Sequence, residues 1–330
     1  PAELRLHCKQ EEYDSTRRMI VPIESMDIMS YSYSCREVLA EISAELGNGM
    51  ENFWLGKAGE VRERVRKYLW DEEKSACFDR DRNNIVMPAL LHNNLRCMYF
   101  GSFDQEMADR FVREHLMNPE EFMTPMPLPS VAANDPFFRN ISGNNWSGQP
   151  QGLTFQRSIR ALENYCHYAE LTVIGKRFLE VIGNNMIFTQ QYDPFTAEPS
   201  GIEDGYGPAL LAALEFISRL YGIHITGQEV FWSCLDNAYD YEYMQMWNGN
   251  SYRMRTNKKG EAMCFVNGKR IFTFTRGVRV ITDTAGNVTS VAGIESHRKI
   301  ITIRTNKKQR MAISPNKLLN FNSDRQVFIE

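Results

Sequence analysis

The stretch that decides the fold reads CREVLAEISAELG over residues 35–47. Apolar residues recur in it three and four positions apart, at Val38, Leu39, Ile42 and Leu46. This spacing is that of an amphipathic helix, and Gly47 stands where a left-handed helix cap favours glycine. A second helical segment follows over residues 57–70. The pattern therefore predicts a pair of antiparallel helices joined by a short loop.

Helical spacing continues to about residue 245, in segments separated by loops rich in Gly, Pro, Asn and Asp. The further helices that we predict cover residues 104–116, 154–168, 171–182, 207–221 and 228–235. Strands are almost absent from this prediction. The connections over residues 118–152 and 183–205 are too long for simple links, and long loops often carry a binding site. We therefore expect the functional residues in these two loops.

After about residue 247 the pattern changes to short alternating runs, which are typical of antiparallel strands. The predicted strands cover residues 262–266, 270–275, 278–282, 288–292 and 300–304. Turn signals separate them at Asn267-Gly268, Ala285-Gly286 and Asn306-Lys307. The sequence thus predicts a mainly α fold with two domains, a helical one over residues 1–246 and a small β module over residues 247–330.

Composition limits the kinds of partner. The net charge of −3 leaves no basic surplus for nucleic acid, and it favours a neutral or weakly polar ligand. No run of eighteen apolar residues is present, so we expect no membrane-spanning helix. The seven cysteines are scattered without a CxxC pair, which predicts neither a disulfide framework nor a zinc site. The chain opens on Pro1, which suggests a trimmed or incomplete N-terminus and leaves open whether this soluble chain is periplasmic, extracellular or cytoplasmic.

Four sequence segments indicate what the helical domain does. Their order along the chain is more specific than any one segment alone. They read EYDSTRRM over residues 12–19, MDIMSYSY over residues 26–33, NWSGQPQ over residues 145–151 and FTQQYDPFTAE over residues 188–198. Taken together they resemble the family 63-like glycoside hydrolases, a group with processing α-glucosidases, mannosylglycerate and glucosylglycerate hydrolases, and more distantly trehalases and glucoamylases. The resemblance spans about residues 11–222.

The resemblance implies an α/α toroid of six helical hairpins. This chain would supply about four of the hairpins, and a preceding segment, another chain or the β module would supply the rest of the ring. The implied activity is that of an inverting, exo-acting hydrolase on an α-linked terminal sugar or a small glycoside. That scheme requires no cofactor and no metal, and the expected partner is an oligosaccharide or glycoside.

The resemblance also implies roles for single residues. Asp14 matches the general acid of the family. The residues that would line the sugar site are Tyr13, Arg18, Trp146, Gly148, Gln149, Gln151 and Tyr192. Ser147 replaces the arginine of the family motif, and glutamines 149 and 151 replace a proline and a tryptophan, so we expect altered substrate contacts.

The largest departure lies at Gln190, where the family has its catalytic base. A primary amide cannot accept the proton of an attacking water near neutral pH. Three explanations are open: a natural loss of hydrolysis, a deliberate Glu-to-Gln exchange, or a base recruited from Glu198, Glu203 or Asp204. The chain would then be an active hydrolase or a catalytically impaired carbohydrate-binding barrel.

Simpler interpretations remain beside these. Asp14 could be a solvated turn carboxylate, and Trp146 could pack in the core. Arg157 and Arg160 could contact a substrate carboxylate or hydroxyl, although pairing of Arg160 with a nearby glutamate is simpler. His92 and His167 have no metal-ligand spacing and are expected to be structural, which also disfavours a sugar epimerase or isomerase.

Overall fold

The computed structural model describes residues 13–14, 19–20, 23–143, 146–200, 205–237 and 239–320. These residues form two compact units. The first contains the described residues up to Tyr165 together with the range Glu180–Ala212, and the second contains the range Cys166–Leu179 and the described residues from Ala213 onward. Each unit is considered by itself below.

Seven α-helices occur in the described part of the chain. They are α1 (Met26–Leu46), α2 (Glu51–Arg64), α3 (Asn93–Phe100), α4 (Gln105–Phe111), α5 (Gly152–Glu163), α6 (Tyr168–Asn185) and α7 (Gly207–Tyr221). Two π-helical turns, Val65–Leu69 and Val112–Leu116, extend α2 and α4. The predicted segments at 104–116 and 207–221 are confirmed, whereas α3 was not predicted.

Helix α1 begins nine residues earlier than the predicted segment, at Met26, and ends as expected at Gly47 with φ 60°. Its apolar stripe is exposed, with Leu46 at 70% and Ile42 at 48% of their full accessibility. The buried face of α1 instead carries small and polar residues, and Tyr33 on it packs against Ala58 and Val61 of α2. The stripe predicted the helix correctly but does not mark the side that faces this unit's core.

A buried carboxylate fixes the start of α1. Asp79 Oδ1 accepts a hydrogen bond from the backbone N–H of Met26 at 2.8 Å, and the Asp79 side chain is almost fully enclosed. Burial raises the pKa of Asp79 to about 7, against the opposing effect of the Met26 hydrogen bond, and neighbouring Asp27 raises the pKa further. The start of α1 is therefore tied to Asp79, a carboxyl group that keeps its proton up to about pH 7.

Fifteen short strands form the sheets of the described part. Two small hairpins pair β1 (Tyr13–Asp14) with β2 (Met19–Ile20) and β3 (Trp70–Asp71) with β4 (Ala76–Cys77). The other strands are β5 (Ile223–Ile225), β6 (Glu229–Cys234), β7 (Glu242–Trp247), β8 (Asn250–Asn257), β9 (Glu261–Val266), β10 (Lys269–Thr275), β11 (Val278–Asp283), β12 (Val288–Gly293), β13 (Lys299–Arg304), β14 (Lys308–Ile313) and β15 (Leu318–Asn320).

The second unit contains two antiparallel sheets. One has the strand order β14-β13-β10-β9-β8-β7 and the other has the order β15-β12-β11-β6-β5. A single apolar core joins them, because Trp232 and Val280 of the five-stranded sheet belong to the same buried cluster as Phe272 and Ile301 of the six-stranded sheet. This is the packing of a β-sandwich.

The predicted turn at Asn267-Gly268 joins β9 to β10, and both residues have positive φ, 51° and 79°. Positive φ at both central residues is what a two-residue hairpin turn of type I′ requires.

Three expectations need correction. The segment over residues 228–235 is the strand β6 and not a helix, because it pairs on both sides with β5 and β11. The strands of the two larger sheets begin at Ile223, and the expected boundary between residues 246 and 247 falls inside β7. A mainly α description therefore suits residues 26–221 but not the remainder. No helix in the described ranges is long and apolar enough to cross a membrane.

A buried arginine holds the connection between β6 and β7. Arg276 Nη1 donates to the backbone oxygens of Asn237 and Tyr239 at 2.7 and 3.1 Å and to Asn237 Oδ1 at 2.8 Å. Its Nη2 donates to Asp240 Oδ1 at 3.0 Å and to the Asn257 oxygen at 2.8 Å. One side chain therefore satisfies four acceptors of this irregular connection and links them to a fifth at the end of β8.

We expect Asp79→Asn to stabilise the protein at high pH. The folded chain holds the Asp79 proton up to about pH 7, whereas the unfolded chain releases it near pH ~4, so this group's contribution to stability is lost as the pH rises between these values. Asparagine keeps the acceptor for the Met26 N–H without a charge. The thermal midpoint of Asp79→Asn should exceed that of the unchanged chain by a few degrees at pH 8, with the gain vanishing near pH 4. Glu73→Gln, at a nearby exposed position, is the control, and a lower midpoint for Asp79→Asn at pH 8 would contradict the assignment.

We expect Arg276→Ala to destabilise the second unit by about 2–4 kcal/mol, because buried acceptors lose their donor. Equilibrium urea unfolding measures this loss. The control is Arg270→Ala on β10, whose side chain is exposed. Equal unfolding midpoints for the two variants would show that the arginine contacts do not hold this connection.

Candidate functional site

The loop that carries residue 190 lies directly beside the segment that contains the predicted sugar motif. Gln151 and Gln191 form an antiparallel bridge. The Gly152 N–H donates to the Gln190 oxygen at 2.9 Å, and the Tyr192 N–H donates to the Pro150 oxygen at 3.2 Å. Two segments more than thirty residues apart in sequence are therefore neighbours.

The close packing of α5 against α7 fixes the positions of these two segments. A Cβ atom on Gly152 would lie 2.9 Å from the Cβ of Ala209, so the first turn of α5 touches α7 where only glycine fits. The backbone N–H of Tyr206, just before α7, donates to the Phe188 oxygen at 2.7 Å. The loop around Gln190 is thus fixed to the starts of two helices.

A chain of side-chain amides runs beneath the loop. Gln191 Nε2 donates to Gln149 Oε1 at 3.0 Å, and Gln149 Nε2 donates to Asn140 Oδ1 at 2.7 Å. Asn140 Nδ2 then donates to Asp193 Oδ2 at 2.7 Å. The amides therefore all donate in the same direction along the chain, which ends on a carboxylate.

Asp193 organises the turn after the loop. Its Oδ1 accepts hydrogen bonds from the backbone N–H groups of Phe195 and Thr196 at 2.8 and 3.0 Å. Burial raises the pKa of Asp193, but the hydrogen bonds from Asn140 and from these amides outweigh it and hold the pKa below its ordinary value. The carboxylate is therefore charged whenever the chain is near neutral pH.

Several predicted sugar contacts are enclosed by the protein. Tyr192 is fully buried, and its hydroxyl lies between the Thr189 N–H and the Ile187 oxygen, both at 3.3 Å. Gln149 and Gln151 are 2% and 0% exposed, and a Cβ on Gly148 would meet the Arg139 oxygen at 2.1 Å. These residues support the loop and have almost no free surface, and direct sugar contacts by them stay a prediction.

The remaining predicted residues differ in what the structure describes. Trp146 and Gln190 are partly exposed, and Glu198 is exposed with its backbone oxygen accepting from the Asp193 N–H at 2.9 Å. For Tyr13 and Asp14 only the backbone pairing with β2 is described. Arg18, Glu203 and Asp204 lie outside the described residues.

Trp146 stands beside a polar cluster at α3 and α5. The His92 and Trp146 rings lie edge to face with centroids 5.8 Å apart, and the Arg96 guanidinium carbon is 5.8 Å from the Trp146 ring centroid. Arg96 forms an ion pair with Asp27 of α1. His92 Nδ1 lies 3.2 Å from Thr154 Oγ1, and burial, with Arg96 and Arg157 nearby, holds the pKa of His92 well below its usual value. The imidazole is therefore neutral.

Sequence reasoning did not connect Asp27 with Arg96. Asp27 stands inside one of the four motif segments, but its partner lies on α3, a helix that was not predicted. The four-residue spacing of His92 and Arg96, which places both on one helix face, is the signal that could have found the cluster. Within the described residues no group of three His, Cys, Asp or Glu side chains is arranged to hold a metal ion.

Comparison with solved structures shows which folds the chain is similar to. A sialidase has a TM-score of 0.65 at 14% identity, over 79% of this chain and 27% of that one. Neutral trehalase Nth1 from Saccharomyces cerevisiae has a TM-score of 0.50 at 16% identity, over 60% of this chain and 38% of the trehalase. The GH63 mannosylglycerate hydrolase from Thermus thermophilus, in complex with glucose, has a TM-score of 0.48 at 19% identity, over 59% of this chain and 47% of the hydrolase.

At these identities the likeness concerns the fold alone, and the chain spans between about a quarter and a half of the length of these three proteins. The match to a protein-family model shows more than the fold. The model of the mannosylglycerate hydrolase MGH1-like glycoside hydrolase domain matches residues 4–208, which is more than half of the chain and includes all four motif segments. The chain therefore belongs to the MGH1-like glycoside hydrolase family.

Proposed function

We propose that this chain carries the site of an inverting glycoside hydrolase that releases an α-linked terminal sugar or splits a small glycoside. The observation that carries the proposal is the pairing of Gly152 with Gln190 and of Gln151 with Gln191. In the family resemblance these two segments supply the sugar-contacting motif and the catalytic base. Their pairing is what a shared substrate site needs.

In this scheme Asp14 is the general acid. An inverting glycosidase places a protonated carboxyl on the leaving oxygen and an ionised carboxylate on the attacking water, about 6.5–9.5 Å apart. Asp14 would donate its proton to the leaving oxygen. Because the Gln190 amide cannot take up a proton, Glu198, Glu203 or Asp204 would have to receive the proton of the water in the unchanged chain. Trp146, partly exposed beside the loop, would offer its indole face to the sugar ring.

Gln190 favours a second candidate function, a carbohydrate-binding barrel in which hydrolysis is impaired. Its amide cannot take up the water proton, and among the alternative bases only Glu198 lies in the described part, where it is exposed. A binding protein of this kind would hold the sugar through Trp146 and release no product.

We propose further that the helical unit is part of an α/α toroid that other hairpins complete. The support is the apolar surface on its helices. On α1 it consists of Ile28, Tyr31, Val38, Leu39, Ile42 and Leu46, and on the part of α7 that belongs to this unit it consists of Leu210 and Leu211. Burying apolar surface stabilises a protein by roughly 25 cal/mol per Å². The packing of further hairpins on α1 and α7 would therefore be favourable.

We expect Gln190→Glu to raise hydrolysis by at least about a hundredfold, because it places a carboxylate base in the paired loop. The assay is release of free monosaccharide from a panel of α-linked disaccharides and glycosyl-glycerates. Asp14→Asn in the Gln190→Glu background should abolish the gain. Gln191→Glu is the matched control, because Gln191 is adjacent but buried against Gln149, and it should gain nothing.

Two results would contradict the hydrolase proposal. If the unchanged chain already releases sugar and Gln190→Glu alters the rate little, the base lies elsewhere. If Gln190→Glu binds sugars but releases none, the chain is a binding protein.

The toroid proposal predicts that this chain alone associates and binds the dye ANS through its exposed stripes. Ile42→Glu combined with Leu46→Glu should lower both dye fluorescence and the mass measured by sedimentation, since it breaks the stripe on α1. Glu41→Gln, on the same exposed helix, should change neither quantity. A monomer that binds no dye before substitution would count against further hairpins on this face.

A further inference from the structure

One face of the six-stranded sheet in the second unit is turned away from the apolar core. Along β8, Arg253 and Arg255 alternate with residues that are buried in that core. Residues paired across antiparallel strands lie on the same face of a sheet. The register therefore extends this outward face from Met244 on β7, which pairs with Arg253, across to Lys308 on β14. At about 4.8 Å between neighbouring strands, the face is about 24 Å wide.

This outward face is basic, although the whole chain carries a net charge of −3. Its cationic side chains are those of Arg253, Arg255, Arg270, Arg304, Lys308 and Arg310, and its acidic side chains are those of Glu242 and Glu261. Glu261 pairs with Arg304, and Glu242 Oε1 lies 3.9 Å from Arg253 Nη1. The other cations of the face have no ion-pair partner in the described part of the chain. The face therefore has a surplus of positive charge.

Exposed apolar side chains occupy the β7 side of the same face. Met244 and Met246 are 61% and 60% exposed, and Met263 and Phe265 on β9 are partly exposed. Arginine, methionine and aromatic residues are the types that are enriched in protein–protein interfaces. A methionine side chain also adapts its shape to different partners. The outward face thus combines apolar side chains on β7 and β9 with basic side chains on β8, β13 and β14.

We propose that the outward face of the six-stranded sheet binds another protein, through an acidic segment that presents apolar side chains between its carboxylates. The carboxylates would pair with Arg255, Lys308 and Arg310, and the apolar side chains would pack on Met244 and Met246. The face lies outside residues 4–208, which the family model matches. The proposal is therefore independent of whether the glycoside hydrolase domain permits turnover.

An anionic polysaccharide or a nucleic acid fits this face less well than a protein does. Such polymers are bound through charge and through aromatic rings that stack on sugars or bases. Phe265 is the one aromatic side chain that the six described strands place on this face, and the Arg253 guanidinium carbon lies 4.6 Å from its ring centroid. The ring face is therefore occupied, and the methionines would add little to the binding of a polyanion. This composition favours a protein partner.

The first experiment measures binding of the full chain to three labelled probes by fluorescence anisotropy. The probes are a random copolymer of glutamate and tyrosine, poly-L-glutamate and carboxymethyl-dextran, all of similar length. We expect the copolymer to bind about tenfold or more tightly than either other probe, because it alone offers apolar surface to the methionines. Its affinity should fall as the salt concentration rises. Equal affinities for the two polypeptides, or binding of carboxymethyl-dextran as tight as that of the copolymer, would overturn the proposal.

Matched variants test whether the face itself binds the copolymer. Arg255→Glu combined with Arg310→Glu reverses two exposed charges on the face and should weaken binding by about tenfold or more. Lys258→Glu combined with Lys259→Glu makes the same change of charge at exposed positions of the turn between β8 and β9, and should weaken binding by less than about threefold. Equal losses in the two variants would mean that net charge controls binding, and the proposal would be wrong.

Two further measurements test the apolar contacts and exclude a second copy of the chain as the partner. Met244→Gln combined with Met246→Gln keeps the length of both side chains and should remove the advantage of the copolymer over poly-L-glutamate. An unchanged advantage would contradict the proposal. Without any probe, the Arg255→Glu and Arg310→Glu variant should sediment with the same mass as the unchanged chain. A lower mass for the variant would show that the face binds a second copy, and the proposed partner would be incorrect.

Discussion

The close approach of Gly152 to Ala209 is the constraint on which the candidate site depends. At Gly152 the helix α5 begins, the backbone N–H reaches the Gln190 oxygen, and the absent side chain lets α7 come within contact distance. Any larger side chain would push α5 away from α7. The positions of Gln190 and of the segment before α5 are thus set by one steric condition.

Behind this junction the polar groups of the loop are largely satisfied by one another. Net gains from single hydrogen bonds are small, but a buried amide without a partner is costly, so the enclosed glutamines fix the conformation more than they add stability. Gln151 shows the limit of this arrangement, because its Nε2 donates to the Gln149 oxygen while its Oε1 has no partner among the described residues. The family's tryptophan at that position would carry no such oxygen.

The periodicity of apolar residues correctly predicted elements that have one buried face and one exposed face. The helix α7 and the hairpin of β9 and β10 were expected from apolar spacing and from Asn267-Gly268, and both agree with the structure. It failed for β6, which lies between two strands and is buried along most of its length, because a short continuous apolar run looks alike in a helix and a strand.

The features of the candidate site also divide into those that the sequence indicates and those that only the packing decides. The sequence singled out the segments that contain Gln151 and Gln190, but it did not predict that these segments pair. The burial of Tyr192 and the ion pair of Arg96 with Asp27 depend on how helices and loops pack, and the spacing of residues along one segment does not contain this information. Likewise, the exposed stripe of α1 identifies a helix but does not tell which neighbour covers it.

The amide chain beneath the loop has a consequence for motion. Asp193 can only accept, so Asn140 must turn its nitrogen toward it, and each amide farther along must then point the same way. No single amide can flip without placing two acceptors or two donors against each other. The amides of Asn140, Gln149 and Gln191 therefore share a single orientation in the segments next to residue 190. The Asp193 carboxylate determines that orientation.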